Sequence, residues 1–72
     1  MRYIIKSGSY YAQLFLEQTT DPKKRRVKRI SWRGVVPSHP AVYKFDDREV
    51  AENVAGQLRG IDAPVEVEEF DN

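Results

Sequence analysis

Lys23 to Arg33 reads KKRRVKRISWR, and its secondary structure decides the architecture around it. Seven of these eleven residues are basic: Lys23, Lys24, Arg25, Arg26, Lys28, Arg29 and Arg33. None is acidic, and Trp32 stands near the end. Asp21-Pro22 just ahead suits two roles. It can open a helix, with Asp21 as N-cap and Pro22 as the first helical residue, or it can form a type I turn. A helix beginning Lys-Lys-Arg-Arg sets positive charge against the positive end of its own dipole. A strand over 25–33, antiparallel to the one before it, is therefore predicted. Val27 and Ile30 cannot share a face of a regular strand, so a bulge is expected near Lys28-Arg29.

The neighbouring segments fit a sheet. Arg2–Lys6 is short, β-branched and aromatic, and Tyr10–Gln18 follows the tight turn Ser7-Gly8-Ser9 as a second strand. One face of that second strand carries Tyr10, Ala12, Leu14 and Leu16; the other carries Tyr11, Gln13, Phe15 and Glu17. Ala, Gln, Leu and Glu also favour a helix over Tyr11–Gln18, but the hairpin spacing favours a strand. Two prolines, Pro37 and Pro40, make 34–40 a connection rather than a central strand. Ala41–Phe45 reads as a further short strand.

A helix is predicted from Asp46 to about Arg59. Asp46 is the expected N-cap, with Glu49 at capping-box spacing and Phe45 placed to staple onto Val50. Val50, Ala51, Val54, Ala55 and Leu58 form one stripe at helical spacing, and Gly60 is the expected left-handed stop. Ile61–Pro64 reads as a turn, and Val65–Phe70 as a last strand with Val65 and Val67 inward. The expected fold is α+β: a small antiparallel sheet of four to five strands with one amphipathic helix packed on one face, in a single domain over 1–72. The other face of the sheet is left to solvent, to a partner or to a second copy in a homodimer.

The formal charge of +1 hides a strong asymmetry. Residues 1–36 carry nine basic and two acidic side chains, +7; residues 37–72 carry three basic and nine acidic, −6. Such a dipole either holds the two halves together or presents a basic pole to an anionic partner. Chemistry is harder to assemble. The chain has no cysteine and one histidine, His39, so no thiolate or multi-histidine metal site is expected, and no cofactor. The glycines at 8, 34, 56 and 60 match no phosphate-loop spacing. No enzymatic activity is expected. Nor is a signal peptide or membrane span, since the longest apolar runs are a few residues.

Binding is the expected role. Lys23, Lys24, Arg25, Arg26, Lys28, Arg29 and Arg33, with Trp32 as a stacking or anchoring aromatic, suit nucleic acid, a nucleoprotein or an acidic protein surface. About five phosphate contacts on a duplex give a salt slope of about −4 to −5. The acidic pole, with Asp46, Asp47, Glu49, Glu52, Glu66, Glu68, Glu69 and Asp71, suggests a second class: a protein-directed inhibitor that imitates phosphate spacing and occupies a nuclease channel.

Tyr3-Ile4-Ile5-Lys6 with Gly8 and Tyr10-Tyr11, then Thr19-Thr20-Asp21, then Phe45 before Val50-Ala51-Glu52 and Ala55, and the closing Val65-Glu66-Val67 form one pattern. It resembles short open reading frames of phages and prophages of Gram-positive bacteria. Residues 25–44 depart from it, because in those sequences the threonine-aspartate turn leads almost directly to the phenylalanine. The resemblance implies a cytoplasmic accessory protein, such as a host-takeover or anti-defence factor of the anti-CRISPR kind. It carries over no functional residue.

Overall fold

A computed structural model describes residues 1–18, 20–21, 25–60 and 64–70. It contains strands β1 (Arg2–Ser7), β2 (Tyr10–Leu16) and β3 (Val27–Arg33), helix α1 (Arg48–Arg59) and strand β4 (Glu66–Phe70). The strands form one antiparallel sheet in the order β3-β2-β1-β4. The α+β architecture is as expected, with four strands. The predicted hairpin turn forms: Gly8 takes φ 61°, which glycine adopts without penalty, and Ser7 pairs with Tyr10 across it.

The bulge falls where the spacing of Val27 and Ile30 requires it. Leu14 faces Ile30 and Phe15 faces Arg29, but Leu16 faces Val27, leaving Lys28 as the extra residue. That one-residue shift puts Val27 and Ile30 on the same side of the sheet, with Trp32 two residues beyond. All three pack, half-buried, against the core. The strand starts at Val27 rather than at 25. The predicted turn at Pro22 and the residues Lys23 and Lys24 lie outside the described residues, as do 61–63 of the last predicted turn.

Ala41–Phe45 is not a strand of the sheet. β1 and β2 pair only near their turn, Lys6 with Tyr11 and Ser7 with Tyr10. Beyond that they splay, and the segment Tyr43–Phe45 enters the gap. Phe45 exchanges two backbone hydrogen bonds with Tyr3 at 2.8 Å, and Tyr43 N–H donates to Ala12 O at 3.1 Å. The connection 34–42 is too irregular, with two prolines, to extend this contact into a ladder.

The helix N-cap is Asp47, one residue later than expected. Its carboxylate accepts the Glu49 N–H at 2.8 Å. Asp46 instead lies 4.0 Å from Arg2 Nε. Two consecutive aspartates offer the same capping chemistry, and the backbone fixed by the Phe45–Tyr3 bridge selects the second. Gly60 ends the helix in a right-handed conformation, φ −73°, with its N–H turned back to Leu58 O, not in the left-handed one expected. The helix lies over β1 and β4. Ala51, Val54, Ala55 and Leu58 bury its inner stripe against Ile5, Ala12, Leu14, Phe45 and Val65. The alanines allow the close approach, and each large apolar side chain buried here contributes roughly 1.5–3 kcal/mol.

Ile4 points to the opposite side by register and is also fully buried, outside the main cluster, as is Val42. The face away from the helix is thus covered over β1. Over β2 and β3 it is open, with Phe15, Arg29, Ser31 and Arg33 exposed.

Candidate nucleic-acid interface

The open face is built by alternation on two paired strands. Arg29, Ser31 and Arg33 of β3 stand opposite Phe15, Gln13 and Tyr11 of β2. The Arg29 guanidinium carbon sits 5.9 Å from the centre of the Phe15 ring, within cation–π range. Phe15 keeps 52% of its surface exposed, so the contact uses one part of the ring and leaves the rest free. Arg33 Nη1 donates to Gln13 Oε1 at 2.9 Å, which holds this long side chain along the face. Arg26 and Lys28, exposed at the bulged end, extend the charge.

The candidate residues divide. Arg26, Lys28, Arg29 and Arg33 are exposed along β3 and just before it. Arg25 is half-buried, with its Nε enclosed, and lines a cleft with Tyr43, Lys44, Asp46, Asp47 and Val50. Its place is under the helix rather than on the open face. Trp32 stands opposite Ala12 on the helix side and packs against the core. The structure does not bring it together with Arg29 and Arg33. Phe15 is the aromatic residue that shares their face. An exposed phenylalanine among Tyr11, Gln13 and Glu17 was the signal for it, since a large apolar side chain on an otherwise polar face has no packing role.

The acidic half answers other cations. Lys6 lies on β1 between Glu68, 3.1 Å from its Nζ, and Glu66, at 4.0 Å. The hydrogen bond and charge of Glu68 raise the Lys6 pKa. Sheet order explains why these acids leave β3 alone: β1 and β2 lie between, and three strand spacings amount to roughly 14 Å. That exceeds the screening length of about 8 Å at physiological salt.

The remaining candidates for chemistry have structural partners. His39 is half-buried in the connection, and its Nδ1 accepts the Ala41 N–H at 3.0 Å. Lys44 Nζ donates to His39 O and Val42 O, both at 2.9 Å, and lies 5.5 Å from the centre of the Phe70 ring. Burial pushes the Lys44 pKa down, and the charge of Arg2 adds to this. Among the described residues no three His, Cys, Asp or Glu side chains gather as a metal site. No helix among them is long and apolar enough to cross a membrane.

The face therefore offers a ring for stacking, guanidinium donors and positive charge on a pair of strands. Comparison of the chain with protein-family models, with curated proteins and with solved structures brings up no match.

Proposed function

We propose that this chain is a non-enzymatic binding protein that takes single-stranded nucleic acid, free or in a nucleoprotein, on the open face of β2 and β3. The observation that carries the proposal is the exposed Phe15 ring with Arg29 beside it, on a face whose charge the acidic strand does not reach. An unpaired base stacks on such a ring while its phosphates meet Arg29, Arg33, Lys28 and Arg26. A duplex keeps its bases stacked inside and gives Phe15 nothing to do, so single strands are preferred. A cytoplasmic accessory protein of the phage type is the setting this reading proposes.

Fluorescence anisotropy with a short single-stranded oligonucleotide and its duplex, over a salt series, tests the proposal. Four phosphate contacts on a single strand give a slope of log K against log salt of about −3. Equal affinity for both forms, or no binding at low salt, defeats it. The second reading is a protein-directed inhibitor of a host nuclease, and the exposed acids Glu49 and Glu52 of the helix and Glu66 and Glu69 of the distant strand β4 favour it. A partner pulled down from host lysate and kept after nuclease treatment selects this second reading.

A further inference from the structure

The two outer strands of the sheet carry opposite charge. β3 presents Lys28, Arg29 and Arg33 at one edge; β4 presents Glu66, Glu68 and Glu69 at the other. Among the described residues neither strand has a second strand neighbour. At the start of β3 the Gln57 carboxamide occupies the edge, donating to Arg25 O at 2.8 Å and accepting from Val27 N–H at 3.0 Å. Beyond the bulge, from Arg29 to Arg33, the ladder with β2 is regular.

We propose that copies of this chain associate head to tail, β4 of one copy adding to β3 of the next. Strand direction permits it. All neighbours in the sheet are antiparallel, so β3 and β1 run one way and β2 and β4 the other. A second copy laid alongside without being turned over therefore brings β4 antiparallel to β3. It also keeps both helices on the same side. By register, Arg29, Ser31 and Arg33 share the face away from the helix with Glu66 and Glu68, so cross-strand neighbours in the new ladder have opposite charge.

The same charges exclude the symmetric alternatives. A β3–β3 contact sets arginine against arginine, and a β4–β4 contact sets glutamate against glutamate, an arrangement by which natural edges are kept apart. Charge on an edge ordinarily blocks pairing altogether. Here it blocks like edges only. The contact is heterologous, so it does not close at two copies and extends with concentration. β4 is five residues long, which limits the ladder and makes the association weak and salt-dependent.

Sedimentation velocity of the full chain, without nucleic acid, tests this over a concentration series at about 50 and about 500 mM NaCl. The expected result is a weight-average mass rising from 8.4 kDa with concentration at low salt and returning towards it at high salt. Two charge-reversed chains sharpen the test, Arg29→Glu/Arg33→Glu and Glu66→Arg/Glu69→Arg. All four side chains are exposed, so both chains are expected to fold, as checked by far-ultraviolet circular dichroism. Each alone should stay monomeric, since both of its edges then carry net charge of one sign, with Lys28 and Glu68 left in place, and a 1:1 mixture should associate again. A constant 8.4 kDa in the unsubstituted chain at low salt overturns the proposal. So does a dimer that persists through both reversals, or a mixture that stays monomeric.

Discussion

Gln57 does the work of a missing strand at the start of β3. An edge strand presents an outward C=O and N–H two residues apart, and the carboxamide meets both, at Arg25 O and Val27 N. Gln57→Ala removes both hydrogen bonds. Each neutral bond of this kind contributes about 1 kcal/mol, less where water can replace it, as at this exposed site. Alanine returns a few tenths through its better helix propensity. The net loss is about 1 kcal/mol, which lowers Tm by about 4–8 °C in a domain of this size. Thermal melting gives the total, and hydrogen exchange gives the location: Val27 N–H should lose protection while Ile5 and Leu58 keep theirs. Gln57→Glu separates the two bonds. Its ionised carboxylate still accepts from Val27 but sets negative charge against Arg25 O. Its stability should therefore be low at neutral pH and recover as pH falls through the ordinary glutamate range near 4, where the protonated acid can donate again. Unchanged Val27 protection in Gln57→Ala, with Tm within about 2 °C of the parent, would refute the reasoning.

Other perturbations have equally definite outcomes. Asp47→Ala removes the N-cap and should cost about 0.5–2 kcal/mol in chemical denaturation. Asp46→Ala removes only the exposed 4.0 Å contact with Arg2 and should cost under about 1 kcal/mol. Leu58→Ala opens the fully buried centre under the helix and should lose about 2–5 kcal/mol. Phe15→Ala should leave the melting temperature nearly unchanged yet weaken oligonucleotide binding by about 1–3 kcal/mol, read by anisotropy at fixed salt. The Lys6 pKa is raised in the folded state, so its contribution is complete below the unfolded value of 10.5 and lost as pH rises through the folded one. Denaturation of the parent and of Glu68→Gln should therefore converge in strongly alkaline solution and differ below it.

Much of this was legible in the sequence because the decisive patterns are local. The helix follows from its apolar stripe and aspartate start, and the bulge from two apolar residues three apart in a strand. Taking Ile30 inward also settles the faces of Arg29, Trp32 and Arg33 by alternation alone, so Trp32 was assignable to the core side. What escaped depends on distant backbone. Nothing near Tyr43 announces that β1 and β2 splay to admit it, since the two bonds at Tyr3 join residues far apart in the chain. The choice between Asp46 and Asp47 follows from that same bridge. Gln57 is invisible for a similar reason: a glutamine on the polar side of a helix reads as solvated, and its partners lie thirty and thirty-two positions away.

The wedge at Tyr43–Phe45 also orders events in time. β1 is made before all its neighbours, yet its flanks are filled by residue 45 on one side and by Glu66–Phe70 on the other. During synthesis the local pieces, the Gly8 turn and the β2–β3 pair, can form early. Ile4 and Ile5, fully enclosed in the finished protein, must wait until Phe45 and β4 have been made. The segment that splits the first hairpin thus leaves β1 uncovered until residues well beyond it have been made. Synthesis of β4, rather than closure of the Gly8 turn, is the step that completes the sheet.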